Sequence, residues 1–277
     1  GGKTIEFRKY DQLPKAMTPL TEGVTPTGKE MNVTKIEATV KQYGDFIELS
    51  DLLILTAIDN NIVEATTLIG SQAGRTLDTI SREVLAAGTN VQYAEGQVTS
   101  RAALTPEMKL TVKAVKKAVR FLKKQNAKKI NGYYYGIVHP DCSYDLTEDA
   151  RWIDAVKYKN PERIYNGEIG EIEGARFVET TEAKIWAKAG AAISTSDTTK
   201  IDVYATLIFG ANAYATTKIE GCSLKTIIKQ LGSAGTGDPL DQRATVGWKA
   251  LKVTEILTEA YMIRIETAST FSDGEAN

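Results

Sequence analysis

The single histidine of the chain, His139, is the first residue to examine for catalysis, because a Ser-His-Asp triad requires an imidazole. Asp141, Asp145 and Asp149 follow it on one face of the helix that Pro140 is predicted to open. Acid–base and metal sites normally need further ligands that converge from other parts of the chain. We therefore predict that Asp141 complements the helix dipole and that the other two carboxylates are solvated. We expect no catalytic residue and no metal site.

Two further patterns bear on ligand binding. The Gly-rich segment 232–238 lacks the Gly-Lys-Ser/Thr ending of a phosphate-binding loop and precedes a predicted strand, which favours a flexible connection. Cys142 and Cys222 have no Cys or His at metal-ligand spacing, so we predict two core thiols in a protein made in a reducing cytosol. The sequence predicts no cofactor and specifies no reaction.

A Lys-rich helix is the remaining candidate for binding. The spacing predicts a helix over 106–124, with Thr105 as cap, Pro106 at the first position and Met108, Val112, Val115, Val119 and Leu122 on the buried side. Its other side carries six cations that could face DNA phosphates, namely Lys113, Lys116, Lys117, Arg120, Lys123 and Lys124. A solvated helix face is the alternative, which the absence of interleaved aromatic residues favours.

The composition is that of an ordinary folded protein. The chain has 277 residues, 42% of them apolar and 25% charged, with a net charge of -1. This length is near the limit for one core and predicts two lobes or an elongated body. The charge balance disfavours a dedicated nucleic-acid-binding module. No apolar run approaches the ~18 residues of a membrane span, and we expect no signal peptide.

The first forty residues are predicted to form an extended hairpin arm. Alternating residues indicate strands at 4–8 and 35–41, and the stretch between them is rich in Pro and Gly. The arm has too few apolar residues for a core of its own, so it should rest on another surface. The residues expected to make that contact are Phe7, Leu13, Pro19, Leu20 and Val24.

A long amphipathic helix is predicted over 60–87, at ~1.5 Å per residue roughly 40 Å long. Asp59 is the expected cap, and Ile58 and Val63 are placed for a hydrophobic staple. Gly70 and Gly74 lower helix propensity, which suggests close approach of a neighbour on their face.

Beyond residue 130 strands and helices follow one another without strict alternation. The pattern predicts a strand at 133–138, a helix from Pro140 that carries Trp152 and Val156, and strands near 176–180, 184–187 and 201–209. A closing pair of strands is expected at 245–257 and 260–266. This order predicts an α+β fold.

Several segments are similar to one family of proteins. They are Gly1-Gly-Lys-Thr-Ile-Glu-Phe-Arg-Lys-Tyr10, Pro19-Leu-Thr-Glu-Gly23, Val40-Lys-Gln-Tyr-Gly-Asp45, Ser50-Asp-Leu-Leu53, Ala87-Gly-Thr-Asn-Val91, Gly235-Thr-Gly-Asp-Pro-Leu240, Thr245-Val-Gly-Trp-Lys-Ala250 and Tyr261-Met-Ile-Arg-Ile-Glu266. The chain thus resembles the major capsid proteins of tailed bacteriophages, and among them the relatives of the short-tailed coliphage N-four. The matches extend over nearly the whole chain, and none of the segments is catalytic.

The resemblance implies the tailed-phage capsid fold, which encapsulin compartments share. Residues 1–50 would be the arm that lies across a neighbouring subunit, and 51–130 the peripheral domain with 60–87 as its spine helix. Residues 131–230 would form the axial domain, and 231–277 would return to the peripheral domain.

The implied function is structural and not enzymatic. Such a protein is made in the cytoplasm of a bacterial host and assembles through hexamers and pentamers into the icosahedral virion capsid around dsDNA, with scaffold or decoration proteins as further partners and no membrane contact. An encapsulin-like compartment with enzyme cargo is the first alternative. A hydrolase that uses His139 and a separate nucleic-acid-binding module are more remote.

Overall fold

The computed structural model describes residues 3–159, 170–194, 196–217, 224–233, 235–272 and 274–277, with only the backbone for 155–159. Val156, predicted to lie on the helix from Pro140, and Cys222, predicted to be a core thiol, therefore have side chains outside the described part of the structure. The helices are α1 (Asp51–Thr56), α2 (Asn61–Ala86), α3 (Val112–Lys124), α4 (Pro140–Thr147) and α5 (Ala150–Lys159).

Most of the strands form two principal sheets. Helices and strands follow one another without strict alternation, so the fold is α+β, as predicted. They are β1 (Thr4–Tyr10), β2 (Val33–Thr39), β3 (Lys41–Ser50), β4 (Val91–Tyr93), β5 (Tyr134–Val138), β6 (Glu171–Ile172), β7 (Ala175–Glu179), β8 (Ile185–Trp186), β9 (Val203–Phe209), β10 (Tyr214–Thr216), β11 (Lys225–Lys229), β12 (Arg243–Lys252), β13 (Thr254–Ile256) and β14 (Met262–Thr267). The large sheet has the order β4-β14-β9-β5-β7-β6, with β8 beside β9, and the small sheet has the order β11-β12-β3.

The arm is a two-stranded antiparallel ribbon with a long irregular end. β1 pairs with β2 from Thr4 opposite Thr39 to Tyr10 opposite Val33, and residues 11–32 form no helix or strand. The predicted hairpin is therefore confirmed. The following strand, β3, was not predicted, because Gly44 and Asp45 interrupt the alternation of apolar and polar residues. It pairs along its whole length with β12.

The long helix α2 packs on one face of the small sheet and confirms the prediction for 60–87. Ala65, Ile69 and Ala73 are buried against Val246 and Trp248. The predicted start of the helix is wrong in detail, because Asn60 is the N-cap and makes no side-chain bond to the helix. The predicted hydrophobic staple is also wrong, since the flanking side chains Ile58 and Val63 are exposed.

The glycines of α2 do not mark a close approach within the chain. A Cβ built on Gly70 or on Gly74 would meet nothing within 4 Å among the described residues. The close approach that was predicted on this face of α2 is therefore not made by any described residue of the chain.

The large sheet carries the principal core. Val115, Val119 and Leu122 of α3 pack on it beside Ile208 and Ile265. The closing strands predicted at 245–257 and 260–266 are present, and they lie in different sheets: β12 belongs to the small sheet and β14 to the large sheet. Between them β13 pairs with β10, and the turn at 257–261 leads from β13 to the large sheet.

Helix α3 begins six residues later than predicted. The Thr111 hydroxyl accepts a hydrogen bond from the amide of Ala114 at 3.1 Å and is the true N-cap. The carbonyl of Met108 accepts instead from the amide of Ala268 at 3.0 Å, so this segment is held against the C-terminal part of the chain. A tertiary backbone contact thus replaces the first predicted helical turns.

The single helix expected from Pro140 onward is two helices. α4 ends at Thr147, and the Asp149 carboxylate then accepts from the amide of Arg151 at 2.9 Å at the start of α5. The Asp149 side chain therefore caps a new helix after a short break.

Candidate functional site

The irregular end of the arm, residues 11–32, carries apolar side chains that are exposed to solvent. Leu20 is 79% exposed, and Leu13, Met17, Val24 and Met31 are exposed as well. Of the predicted contact residues, Pro19 is also exposed, whereas Phe7 is half-buried in β1 opposite Ile36. The structure thus brings four of the five predicted residues onto one solvated segment.

The base of the irregular segment is closed by one aspartate. Oδ2 of Asp11 accepts hydrogen bonds from Asn32 Nδ2 at 2.9 Å and from Thr34 Oγ1 at 3.1 Å, and the Asp11 amide donates to the carbonyl of Asn32 at 3.2 Å. These bonds hold the two ends of the segment together while its apolar side chains stay in water.

A second exposed apolar surface lies at helix α1, the turn after it and the first turn of α2. Ser50 caps α1 by accepting from the amide of Leu53 at 3.2 Å, and α1 has no buried residue. We call this surface the α1 patch; it consists of Leu52, Leu53, Leu55, Ile58 and Val63, all exposed. Sequence reasoning missed it, although the apolar run from Leu52 to Leu55 was a visible signal.

The six cations of α3 are all exposed, but part of their charge is compensated. Lys113 Nζ lies 2.5 Å from Glu95 Oε2, and Lys116 Nζ lies 3.5 Å from Glu173 Oε1. Lys113 and Thr111 also donate hydrogen bonds to the Glu95 carboxylate, which lowers its pKa.

The remaining cations of α3 keep more of their charge. Lys117 Nζ donates to the backbone carbonyl of Glu95 at 2.9 Å and has no ion-pair partner among the described residues. Arg120, Lys123 and Lys124 have no ion-pair partner within the described part of the chain. The uncompensated charge therefore lies toward the C-terminal half of α3.

His139 is a helix cap. Its Nδ1 accepts from the amide of Asp141 at 3.3 Å, which makes it the N-cap of α4, and its ring lies 5.2 Å from the ring of Tyr204. Burial lowers the pKa of His139, although the charges of Asp141 and Glu179 act in the opposite direction. The imidazole is thus used to begin a helix, and the geometry does not favour a hydrolase.

The carboxylates that follow His139 also have structural partners. Asp145 was predicted to be solvated, but it is buried and accepts from Ser269 Oγ at 2.8 Å and from both the amide and the hydroxyl of Thr270. That prediction is wrong because the C-terminal segment folds over α4. Asp149 is half-buried and accepts from the amide of Val112 at 2.9 Å at the start of α3.

The other candidates for ligand binding are structural as well. Cys142 is buried with its Sγ 3.7 Å from Thr267 Oγ1, and burial raises the pKa of its thiol, so the prediction of a core thiol is confirmed for this residue. The Gly-rich segment leads into strand β12, and Asp238 Oδ2 accepts from the amide of Arg243 at 2.8 Å. Among the described residues, no group of three or more His, Cys, Asp or Glu side chains is placed to hold a metal ion.

Comparison with known proteins identifies what these surfaces belong to. A sequence model of the family described as phage capsid protein matches residues 59–222, which is more than half of the chain. The chain belongs to the phage capsid protein family. No curated protein sequence matches it significantly.

Solved phage capsids have the same fold as this capsid protein. The capsid of Ralstonia phage GP4 is 14% identical, with a TM-score of 0.71 over 100% of this chain and 86% of that one. The capsid of cyanophage P-SCSP1u is 14% identical, with a TM-score of 0.69 over 97% and 84%, and that of cyanophage Pam1 is 12% identical, with a TM-score of 0.69 over 97% and 86%.

Family and fold together identify a major capsid protein of a tailed phage, a structural protein located in the virion. None of the helices among the described residues combines the length and the apolar character that a membrane span requires.

Proposed function

We propose that this capsid protein assembles through hexamers and pentamers into an icosahedral head around dsDNA, and that the arm of each copy lies on the next copy. The exposed apolar end of the arm is the observation that carries this proposal. Each Leu or Met that becomes fully buried contributes roughly 1.5–3 kcal/mol, and the described part of the chain does not bury these side chains of the arm. A closed shell needs such a contact between different surfaces of neighbouring copies.

The α1 patch supplies a surface of the required kind. A heterologous contact joins two different patches, and the molecule exposes one apolar set on the arm and another on α1. We propose that the arm of one copy covers the α1 patch of its neighbour. Water would then be excluded from both surfaces by one contact.

The register of the arm gives a direct test. Because Tyr10 lies opposite Val33, residues 11–32 can be replaced by Asn-Gly, the dipeptide favoured in two-residue hairpin turns. We expect a folded monomer that forms no capsomers or shells by electron microscopy and light scattering. The unchanged chain, with any preceding segment of the natural protein, is the reference.

A second variant separates apolar contact from chain length. Serine at Leu13, Met17, Leu20 and Val24 keeps the arm but removes its apolar side chains, and we expect the same loss of assembly. Shells of normal yield from both variants would exclude the proposed role of the arm. If only the deletion variant fails to assemble, the contact would depend on the backbone of the arm and not on its apolar side chains.

We further propose that the chain divides as the family resemblance implies, into an arm (1–50), a peripheral domain (51–130), an axial domain (131–230) and a return to the peripheral domain (231–277). The separate core of α2 and the small sheet supports a peripheral unit. Helix α3 lies within 51–130 in this division, and its buried side packs on the large sheet, so it would connect the peripheral domain to the axial domain.

The basic helix α3 is proposed to face the packaged genome through non-specific contacts with phosphates. Its uncompensated charges at Lys117, Arg120, Lys123 and Lys124 support this role. Replacement of Lys116, Lys117 and Arg120 by Gln should reduce DNA retention in filled particles without loss of shells. Unchanged retention over a range of salt concentrations would exclude it.

Two finer assignments belong to the same proposal. The segments shared with the relatives of coliphage N-four support placement in that group, with scaffold or decoration proteins as further partners. An encapsulin-like compartment would have the same fold, so the cargo of purified particles decides between them. DNA inside the particles would support the phage head, and an enzyme without nucleic acid would support the compartment.

A further inference from the structure

Strand β11 leaves one edge of the small sheet open. Within the described ranges it pairs only with β12, and β3 forms the opposite edge. Alternate backbone N–H and C=O groups along the outer side of β11 are therefore without a strand partner. Such an edge is a template for a further strand unless its side chains prevent pairing.

The side chains of β11 give this edge a strong charge preference. Lys225, Ile227 and Lys229 alternate on the face directed away from α2, and Lys225 lies opposite Lys249 of β12. Like charges directly opposite each other destabilise a sheet. None of these three lysines has an ion-pair partner in the part of the chain that the structure describes.

The same edge exposes apolar side chains. Ile228, on the face toward α2, is 46% exposed, and Leu224 at the start of the strand is 47% exposed. A strand added beside β11 would cover Ile228 and would bring its own alternate side chains next to the two lysines. The edge thus combines unpaired backbone, unpaired cations and uncovered apolar surface.

The identity of the partner follows from what this edge repels. Two copies of β11 would place lysines against lysines, and a neutral strand would leave the lysines uncompensated. Nucleic acid fits less well, since β11 has no aromatic residue for base stacking and Glu48 lies at the neighbouring depression lined by Lys229 and Arg243. The carboxylates of an extended acidic peptide would compensate the charges of Lys225 and Lys229.

We propose that β11 binds an acidic segment of a partner protein as a fourth strand of the small sheet. The segment has the pattern acidic, any, apolar, any, acidic, which places carboxylates beside Lys225 and Lys229 and an apolar side chain beside Ile227. The pattern is the same in both chain directions, so the segment can pair with β11 in either the parallel or the antiparallel orientation. Binding is a property of the single subunit and does not depend on arm-mediated assembly.

The test uses the full chain and a fluorescein-labelled peptide, Thr-Glu-Thr-Val-Thr-Glu-Thr, in an anisotropy titration. We expect saturable binding, and the pair of substitutions Lys225→Glu and Lys229→Glu should weaken it by about tenfold or more. The same variant should gain affinity for Thr-Lys-Thr-Val-Thr-Lys-Thr, which an unfolded variant could not do. The matched control, Lys128→Glu with Lys200→Glu at exposed residues outside β11 and α3, should bind the acidic peptide like the unchanged chain.

A second peptide tests the strand pairing itself. Thr-Glu-Pro-Val-Pro-Glu-Thr keeps the charges but lacks two amide N–H groups, and we expect it not to bind. Equal binding of this peptide would overturn strand addition in favour of general electrostatic attraction. Oligothymidine that binds more tightly than the acidic peptide, and in a way that depends on Lys225, would overturn the choice of partner. If the Lys225→Glu and Lys229→Glu variant forms no shells but binds the acidic peptide unchanged, the edge would instead serve contacts between copies.

Discussion

Glu266 is fully buried, and two guanidinium groups bind its carboxylate. Arg101 binds both carboxylate oxygens at 2.7 and 2.8 Å, and Arg264 Nε donates to Oε1 at 2.8 Å. Arg101 also lies over the ring of Trp186 at 3.6 Å, and Arg264 donates to the carbonyls of Ala86 and Gly88. One carboxylate therefore links the end of α2 to the large sheet.

Replacement of Glu266 by Gln should lower the free energy of unfolding by about 3 kcal/mol, because a buried ion pair that loses one partner leaves unpaired charge behind. Denaturant unfolding of the arm-deleted monomer measures the change. Glu107→Gln, at an exposed residue, is the control and should change stability by less than about 0.5 kcal/mol. Equal effects of the two substitutions would contradict the role given to Glu266.

The only histidine should make stability depend on pH near neutrality. Burial lowers the pKa of His139, so the unfolded chain binds more protons than the folded chain below about pH 6.5. The contribution is complete above this pH and is lost as the pH falls toward the folded pKa. We expect weaker stability at about pH 5.5 than at about pH 7.5 in denaturant unfolding.

The matched variant for this pH dependence is His139→Asn, which keeps a capping side chain on α4 but does not titrate. Its stability should change less between the two pH values than that of the unchanged chain. A difference that persists undiminished in the variant would assign the pH dependence to carboxylates instead.

At the scale of elements, α2 contains two glycines, Gly70 and Gly74, whose added Cβ would touch nothing in the part of the chain that the structure describes. Gly70→Ala and Gly74→Ala should each raise the free energy of unfolding by about 1 kcal/mol, since Ala has the higher helix propensity and meets no atom within 4 Å. Gly210→Ala should act in the opposite direction, because its Cβ would lie 2.6 Å from the backbone carbonyl oxygen of Lys128. Thermal unfolding of the three variants checks these signs.

The same glycine variants also report on assembly. If a neighbouring copy packs closely on this face of α2, the alanine variants should be more stable as monomers but form fewer shells. Shells of normal yield would show that the face stays open in the capsid. Lower monomer stability would contradict the helix-propensity argument.

At the scale of the whole molecule, the near-neutral charge and the apolar arm make a joint prediction about salt. The chain carries a net charge of -1, and the proposed arm contact buries apolar side chains. Shell yield should therefore be at least as high at about 500 mM salt as at about 50 mM, because screening weakens ion pairs and leaves apolar contacts intact. Dissolution of shells at high salt, measured by light scattering, would instead indicate that ion pairs hold the copies together.

The local signals in the sequence determined much of this protein. Periodicity predicted the hairpin arm, the long helix α2 and the buried side of α3, because each element shows its own repeat in a few consecutive residues. The shared segments predicted the capsid fold. Exposure of Leu13 and Leu20 also followed, since a Pro-rich stretch with so few apolar residues cannot enclose them.

Other features were decided only in three dimensions, by partners far apart in sequence. The start of α3 is shifted by the backbone contact between Met108 and Ala268, and Asp145 is buried by Ser269 and Thr270. The small sheet has the order β11-β12-β3, so β11 pairs with β12 on one side, and its other side forms an edge of the sheet. Local propensity carries no information about such contacts, since their free energy depends on which distant groups the fold brings together.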